Sequence, residues 1–330
     1  MQTRVTIGDV AAKAGVSKVT VSYVLSGRGA DARIKAETVA RVSAIAKELG
    51  YQRNAVAAML KAKRSHTIAI AFQYADLFGT GSDFTNEVMR GVCEAAQARG
   101  YDLMLHTRTA ASPEEEVSAF TDGRVDGVLI LRDEDDPTLR LLQTGPVPCV
   151  SFFCACGNAW VDADNVDGGR QAVRHLTELG HRRLLVLKGA SASGSSNERV
   201  HGIVREAVVQ ELPDPVVLNA ADKDGWKRLL RSPSRPTAVI AWSDDAAAEL
   251  LAYASEIGLR CPEDLSVVGF DSLTIAERLG LTSVGQPVRQ IAQTAFNLLV
   301  DMVDAADPTF RERRFPVRLD VRGTTGRPSS

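Results

Sequence analysis

The sequence predicts an all-α helix-turn-helix head, joined by a short helix-competent segment to a two-lobed α/β domain with parallel sheets and helices on both faces. Two observations near the N-terminus predict the head. Two short amphipathic helices flank a tight turn within residues 6–27, and the segment around them is strongly basic. One observation predicts the rest: from residue 66 onward, apolar strands alternate with amphipathic helices, as in parallel sheets buried between helix layers.

The first two helices follow from the spacing of apolar residues and from the turn between them. Apolar residues recur at spacings of three and four from Ile7 to Ala14, and again from Val21 to Leu25. Gly15 allows the chain to leave the first helix in a left-handed conformation, and Ser17 is a suitable N-cap for the second. Helices joined by so short a turn indicate a helix-turn-helix, whose second helix enters the major groove of DNA.

Charge divides the chain in the same place. Residues 1–64 contain twelve lysines and arginines against four acidic residues, a net charge of +8, whereas the whole chain is −2. The remainder therefore carries −10. A basic head on an acidic body indicates that the head meets a polyanion. We expect it to bind double-stranded DNA, rather than to be an ordinary helical hairpin packed in a core.

Two more helical segments complete the N-terminal part. Apolar residues from Val39 to Leu49 predict a third helix that ends at Gly50, and Lys35 stands near its N-cap position without a capping oxygen. Residues 54–61, NAVAAMLK, can form a short helix, although eight residues alone are mostly unfolded because helix nucleation is costly. A flexible linker is the alternative, and both readings are compatible with folding on binding.

The larger part of the chain alternates between strands and helices. Two halves of similar size, about 67–160 and 161–285, predict two lobes with a cleft, where ligands bind at the carboxyl ends of the strands. The predicted strands are 67–72, 101–107, 125–131, 147–153, 182–189, a short one near 216, 237–242 and 265–270. The predicted helices are 87–99, 113–120, 168–179, 199–211, 226–230, 246–257 and 288–304.

Composition and residue chemistry exclude several classes of protein. No apolar run approaches the ~20 residues that cross a bilayer, and the N-terminus lacks a secretory h-region, so we expect a cytoplasmic protein with no membrane partner. The five histidines form no pair at metal-ligand spacing, and the five scattered cysteines form no disulfide framework. Cys154 and Cys156 are at most half a metal site. We expect no metal, no cofactor and no catalytic residues.

A glycine-serine segment also fails the tests for catalytic chemistry. Residues 189–194, GASASG, lack the lysine of a P-loop and depart from the G-x-S-x-G nucleophile elbow. We therefore expect a mobile loop at the edge of the cleft. A soluble solute-binding protein or a sugar-processing enzyme remains the alternative function, because the two-lobed part alone would suit either.

Several motifs occur in an order shared with one protein family. The pattern T-I-x-D-V-A-x-x-A-G-V-S-x-x-T-V-S-x-V-L runs from Thr6 to Leu25. Later landmarks follow at the family's spacing: ELGYQRNAVAAML, VDADNVDGG, ERVHG, CPEDLSVVGFD and LDVRGTT. Over essentially its whole length, the chain resembles the LacI/GalR family of bacterial transcriptional regulators.

The resemblance implies a domain organisation and a periplasmic-binding-protein-like fold for the body. The chain would cross between the lobes three times. The implied divisions are a helix-turn-helix DNA-binding domain at 1–52, a hinge helix and linker at 53–65, and an effector-binding and dimerisation domain at 66–330, with lobe 1 at about 66–160 and 287–312 and lobe 2 at about 161–286 and 313–330.

The resemblance also implies which residues contact DNA. Lys18, Val19 and Tyr23 occupy positions that the family varies to choose operators, and relatives usually carry Arg, a strong guanine reader, where Tyr23 stands. This difference predicts an altered half-site. Polar side chains would contact phosphates, although Ser17 could serve only as a cap and Thr20 only in packing. The full predicted set is Thr6, Ser17, Lys18, Val19, Thr20, Ser22, Tyr23, Asn54, Ala57 and Leu60.

Residues 54–61 match the hinge helix of the family, which pairs with its dimer mate and inserts into the minor groove at the operator. Leu60 falls on the wedge leucine that opens a base step and bends the duplex. Relatives commonly read R-P-N here, whereas this chain has Gln52-Arg53-Asn54. The absence of that proline weakens the start of the hinge helix and adds a cation near phosphate.

The interlobe cleft is where the family binds its effector. Arg199 and Asp271 align with residues that hold effector hydroxyls or carboxylates, and both groups offer bidentate contacts; a salt bridge or loop cap is the alternative. The predicted effector residues are Asp83, Phe84, Phe153, Arg199, Ser243 and Asp271. Phe153 replaces an Asp of some sugar-binding relatives, and Ala220 lies near a stacking aromatic of others. The effector is therefore less hydroxylated, differently placed or absent.

Taken together, the resemblance implies a sequence-specific transcriptional regulator. We expect a repressor that binds a palindromic operator as a homodimer, because one small head makes too few contacts for tight binding. We expect a small-molecule effector, most commonly a sugar that induces, with a corepressor as the second choice. At its operator the protein would be associated with the nucleoid.

Overall fold

The computed structural model describes residues 5–52, 59, 64–73, 82–189, 193–304 and 311–329. The chain separates into two compact units, residues 1–65 and 66–330. In the first unit, three helices enclose a small core that includes the fully buried Val10, Val21 and Val42. These helices are α1 (Ile7–Ala14), α2 (Lys18–Leu25) and α3 (Ala36–Glu48). The predicted helix-turn-helix and third helix are confirmed.

The ends of these helices are set by local chemistry. Thr6 and Asp9 form a capping box at the start of α1, and Gly15 ends it with a φ of +64°, a conformation that glycine adopts without strain. Ser17 caps α2 by accepting a hydrogen bond from the Thr20 amide. Lys35 occupies the N-cap of α3 and makes no side-chain cap bond, as the sequence predicted.

The second unit contains two six-stranded sheets, one in each lobe. The first has the order β11-β5-β4-β3-β1-β2, and every pair described is parallel. The second has the order β12-β10-β9-β8-β6-β7, with only β12 antiparallel to its neighbour. The strands are β1 (Thr67–Phe72), β2 (Asp102–His106), β3 (Gly127–Leu131), β4 (Cys149–Phe152), β5 (Trp160–Ala163), β6 (Leu184–Lys188), β7 (Val216–Asn219), β8 (Ala238–Ala241), β9 (Ser266–Asp271), β10 (Thr282–Gly285), β11 (Glu312–Phe315) and β12 (Arg318–Asp320).

Helices cover both faces of each sheet, and apolar side chains fill the space between them. In lobe 1, Val92 and Phe296 pack on one face while Phe120 and Leu139 pack on the other. The helices are α4 (Asp83–Arg99), α5 (Pro113–Thr121), α6 (Pro137–Thr144), α7 (Asn165–Glu178), α8 (Gly194–Val209), α9 (Lys223–Leu230), α10 (Asp244–Glu256), α11 (Thr274–Leu279) and α12 (Val288–Val303). No helix in the described part of the chain is long and apolar enough to span a membrane.

Strand pairing shifts two of the predicted lobe boundaries. Residues 160–163 form β5, which pairs with β4 in the first sheet, and Phe315 in β11 pairs with Ala163. The chain therefore leaves lobe 1 after residue 163 rather than 160, and leaves it again after 315 rather than 312. Neither strand was predicted, because WVDA and ERRF contain no apolar run and only pairing with distant strands makes them strands.

Several helices begin earlier than predicted. α7 begins at Asn165 and α8 at Gly194, since Asp164 and Ser193 cap them by accepting bonds from amides three residues on. These first turns are polar, so apolar periodicity does not reveal them. The predicted loop 189–194 is thus shorter at its C-terminal end, and residues 190–192 lie outside the described residues.

Candidate functional site

The second helix of the head presents one face to solvent and packs with the other. Val21 and Val24 lie in the small core, whereas the Val19 side chain is 62% exposed. Lys18 and Tyr23 are also exposed, and the guanidinium of Arg28 lies 5.6 Å from the centre of the Tyr23 ring. An exposed cation, valine and tyrosine on one short helix form a surface that suits contact with base edges rather than packing.

Polar side chains at the start of this helix bond to each other. The Ser17 hydroxyl lies 3.0 Å from the Thr20 amide nitrogen and 2.9 Å from the Thr20 hydroxyl. Ser17 therefore caps the helix, and its exposed position leaves it accessible to a phosphate. Thr6 caps the first helix, and Ser22 is half-buried on α2.

Three predicted DNA contacts, Asn54, Ala57 and Leu60, lie outside the described residues. Their assignment rests on the sequence alone. The exposed face of α2 is thus the part of the predicted interface that the structure describes.

A second candidate site lies between the two lobes, at the carboxyl ends of the strands. Its cavity has a volume of about 680 Å³, within the range typical of small-molecule sites. Polar and aromatic side chains from both lobes line it. Five of the six predicted effector residues are among them: Phe84, Phe153, Arg199, Ser243 and Asp271.

Two phenylalanines form the wall on the lobe 1 side. The rings of Phe84 and Phe153 meet edge to face, with centroids 4.8 Å apart, an arrangement that aromatic pairs favour. Phe153 follows β4 with a φ of +55°, which is rare for so bulky a residue. Hydrogen bonds to its own backbone from both sides maintain this conformation: its amide donates to Val161, and its carbonyl accepts from the Ser195 hydroxyl.

Arg199, on α8, is buried and held in place by hydrogen bonds to groups of the protein. Its Nε donates to the side-chain oxygen of Asn165 at 2.9 Å, and its Nη1 donates to the Trp242 carbonyl. The guanidinium also lies 3.6 Å from the centre of the Phe270 ring. Burial lowers the Arg199 pKa from its usual value because it disfavours the charged guanidinium. Anionic or hydroxyl oxygens of a ligand would stabilise this desolvated cation.

Asp271 ends β9 at the cavity wall. Its Oδ1 accepts a hydrogen bond of 2.6 Å from Gln286, and its φ is +107°. Burial raises the Asp271 pKa to about 8, against the lowering effect of the Arg199 charge. Within the described residues, Arg199 makes its hydrogen bonds to Asn165 and Trp242 rather than to Asp271. Both residues belong to lobe 2, so the alternative of a salt bridge between the lobes does not hold for this pair.

Asp83 is not among the residues that line the cavity. Its Oδ2 accepts a hydrogen bond of 2.8 Å from the Ile275 amide, near the start of α11. The neighbouring Ser82 hydroxyl donates to Asp245 at 3.1 Å. Both bonds join lobe 1 to lobe 2, so Asp83 links the lobes in this structure, and its predicted contact with an effector stays a prediction.

Sequence reasoning missed several cavity residues. Trp242 directly follows β8, and Asp133 follows β3 within three residues; their position after a strand is the signal that would have found them. Cys154 also lines the cavity and forms a disulfide with Cys156, although the cysteine count predicted no disulfide framework. Among the described residues, no cluster of three or more metal-ligating side chains occurs.

Comparisons with known proteins decide the family. Residues 6–54 match the family described as bacterial regulatory proteins, lacI family, and residues 173–325 match the periplasmic binding protein-like domain. The chain is 33% identical to the HTH-type transcriptional regulator CelR of Thermobifida fusca, with 96% of this chain and 95% of that protein covered. The chain belongs to the LacI family.

Solved structures agree with this assignment. The chain is similar to a lac repressor dimer bound to operator and the anti-inducer ONPF, with 25% identity, a TM-score of 0.84, and coverage of 98% of this chain and 99% of that one. It is also similar to a transcriptional regulator CelR–cellobiose complex, with 30% identity, a TM-score of 0.71, and coverage of 97% and 100%.

Family membership settles the class of function. This LacI-family protein is a DNA-binding transcriptional regulator controlled by a small-molecule effector, and it is not an enzyme. The helix-turn-helix head and the two-lobed periplasmic-binding-protein-like fold predicted from the sequence are confirmed. The alternative of a freestanding solute-binding protein or a sugar-processing enzyme is set aside.

Proposed function

We propose that this LacI-family protein represses transcription from a palindromic operator and that a sugar bound between the lobes controls it. The cavity lining supports the effector class. Arg199 and Asp271 offer hydrogen-bonding groups to hydroxyls, and Phe84, Phe153 and Trp242 offer aromatic surface. A ligand with both hydroxyls and an apolar ring face matches this combination. The volume of about 680 Å³ has room for more than one pyranose ring.

Each predicted DNA contact receives a role in this proposal. Lys18, Val19 and Tyr23 read base edges in the major groove. The hydroxyls of Thr6, Ser17, Thr20 and Ser22 contact phosphates and fix the orientation of α2. Asn54 contacts a phosphate, Ala57 is part of the hinge helix, and Leu60 is the wedge in the minor groove. Residues 1–52, 53–65 and 66–330 act as the reading, hinge and effector parts.

The arrangement of the two lobes controls the affinity for the operator. An effector that contacts both lobes changes the population of their closed arrangement, because it binds that arrangement more tightly than the open one. The arrangement of the lobes sets the spacing of the two hinge segments in the dimer, and so the operator affinity. The protein acts in the cytoplasm and associates with the nucleoid at its operator.

Selection of bound duplexes from a random DNA pool tests the DNA-reading part. Purified full-length protein at near-physiological salt should enrich a palindrome with a flexible central step. If the protein shows nothing beyond weak binding that disappears as salt rises, the proposal is overturned, because that behaviour indicates non-specific contact with phosphates.

Titration of sugars tests the effector part. We chose cellobiose as the first probe because the similar CelR regulator was solved in complex with it, followed by lactose and maltose. An inducing sugar should weaken binding to the selected palindrome, whereas a corepressor would strengthen it. If no sugar alters operator affinity or binds the protein by calorimetry, the proposed effector class is wrong.

A further inference from the structure

Trp242 is the cavity residue whose exposure calls for an explanation. It is the first residue after β8, and its side chain is 37% exposed although it lines the interlobe cavity. Trp226, by contrast, is 1% exposed in the core of lobe 2. A large aromatic surface that faces a solvent-accessible cavity is unfavourable in water and gains free energy when a ligand covers it.

The Trp242 ring is supported from behind by a glycine. A Cβ placed on Gly189 would lie 2.8, 2.9 and 3.2 Å from three atoms of the six-membered ring of Trp242. Similar distances to three ring atoms mean that the Gly189 backbone lies against the face of the indole. Any side chain at residue 189 would push the ring away, so this glycine allows the ring to lie flat on the end of β6.

The Trp242 backbone is fixed on two sides. Its amide donates to the Leu187 carbonyl at 2.9 Å, which continues the pairing of β8 with β6. Its carbonyl accepts a hydrogen bond from Arg199. The ring is therefore presented on a rigid part of lobe 2, and the same contact connects it to the buried guanidinium of the proposed effector site. Little conformational entropy is left to lose when a ligand settles on it.

Two small residues line the same cavity as the Trp242 ring. Ala220 and Ala221, which follow β7, line the same cavity and end at a methyl group. Polar side chains line the same cavity. Ser243 follows Trp242 directly and Asp245 lies three residues after it, and Lys223 and Glu249 pair at 2.5 Å. A ring lying on the indole would thus meet an apolar face on one side and hydrogen-bonding groups at its edge.

We propose that Trp242 is the stacking platform of the effector site and selects pyranose rings that present an apolar C–H face. This inference rests on the proposed sugar effector, and it assigns the aromatic role to a residue at the end of β8 rather than to the Ala220 region. The aromatic pair Phe84–Phe153 lines the lobe 1 side of the cavity, so a ring on Trp242 would lie in a cavity that carries aromatic surface on both lobes.

Fluorescence and calorimetry with cellobiose, lactose and maltose test the proposal. The chain has three tryptophans, so a bound pyranose on Trp242 should change the intrinsic emission of the wild-type protein. Trp242→Phe should abolish that change while keeping the dissociation constant within about threefold, because a phenyl ring still offers a face. Trp242→Ala should weaken binding by about tenfold or more, since it removes both the stacking and the apolar area.

The control is Trp160→Phe, which removes a tryptophan of β5 in lobe 1 that packs near Arg314. This variant should retain the emission change. Thermal unfolding of each variant shows whether it is folded. If Trp242→Ala is not folded, Trp242→Phe still tests the proposal.

The two proposals fail in different ways. If a sugar binds the wild type and Trp242→Ala binds it equally well, or if Trp242→Phe retains the emission change, the platform role is overturned and the sugar effector stands. If none of the sugars binds the wild type, the proposed effector class is wrong and the platform role is overturned with it.

Discussion

At the scale of single residues, the buried Arg199 of the cavity interacts with acids whose pKa values are raised by burial. Burial raises the pKa of Asp271 to about 8 and that of Asp244 to about 6. The Asp244 carboxylate accepts hydrogen bonds from the Ser283 hydroxyl and the Leu273 amide, so it supports the end of β9 that carries Asp271. A neutral Asp271 can both donate and accept, which suits a hydroxyl ligand.

The pH dependence of stability should report on Asp271. Its folded-state pKa is raised, so its contribution to stability is fully present below the unfolded value near 3.8 and is lost as pH rises through about 8. Between these limits the wild-type free energy of unfolding should fall with pH more steeply than that of Asp271→Asn, which has no proton to lose. Urea unfolding at pH 5 to 9 measures both curves.

The groups that act on Asp271 from its surroundings are Arg199, Asp244 and Asp245, and they remain in the variant. The difference between the two curves therefore isolates Asp271 and its coupling to them. Parallel curves would show that Asp271 is ionised in the folded protein throughout this range.

Tyr23 makes a separate prediction about base reading. Tyr23→Arg should change the preferred half-site toward guanine, because arginine donates two hydrogen bonds to the guanine edge. Selection from a random pool measures the preference. Val208→Arg adds the same charge at a side chain that is 66% exposed on α8 and should leave the site unchanged. An unchanged half-site in Tyr23→Arg would remove Tyr23 from the reading surface.

At the scale of elements, the start of α4 links lobe 1 to lobe 2. Asp83 bonds the Ile275 amide near the start of α11, and Ser82 bonds Asp245 on α10. A carboxylate that accepts from a backbone amide near a helix start is favourable for both charge and hydrogen bonding. These bonds exist only when the lobes are close, so they contribute to the closed arrangement and not to an open one.

Asp83→Ala should therefore destabilise the closed lobes. A single hydrogen bond of a half-exposed carboxylate contributes about 1 kcal/mol, so effector affinity should fall by about fivefold and hydrogen exchange in residues 274–279 should accelerate. Calorimetry and exchange mass spectrometry measure these effects. Asp102→Ala removes an exposed carboxylate at the start of β2 in lobe 1 and serves as the control. Unchanged exchange at α11 would contradict the link.

At the scale of the whole molecule, the two units differ in charge and in the kind of site that each carries. The basic first 64 residues and the acidic remainder keep non-specific attraction to DNA within the head. The second unit holds its ligand cavity between two sheets. The described parallel strands of both sheets direct their carboxyl ends toward the cavity, and β12 in lobe 2 is antiparallel to its neighbour. Reading and sensing are thus assigned to different units of one chain.

The hinge segment should connect the two functions. By family resemblance Leu60 is the wedge residue, so Leu60→Ala should weaken binding to the selected palindrome by tenfold or more and spare binding to a random duplex. Lys61→Ala removes one positive charge of the basic N-terminal segment, so it should weaken both equally and reduce the salt dependence. Filter binding or fluorescence anisotropy gives both constants. Equal losses in Leu60→Ala would contradict the wedge.

The sequence by itself determined the head, the alternation of strands and helices, and five of the residues that line the cavity. Each of these depends on local order: Thr6, Gly15 and Ser17 mark helix ends by their own chemistry, and apolar runs such as residues 67–72 mark buried strands. Arg199 and Asp271 were found because the motifs that contain them, ERVHG and CPEDLSVVGFD, resemble those of the LacI family.

Only the tertiary structure decided the features that join distant parts of the chain. Asp83 and Ile275 are 192 residues apart, and β11 becomes a strand only because β5 lies beside it. The flat placement of Trp242 depends on Gly189, which the pairing of β8 with β6 brings to it. Such contacts form when the order of strands in a sheet brings the two residues together. Neither residue type by itself predicts which distant residue it will contact.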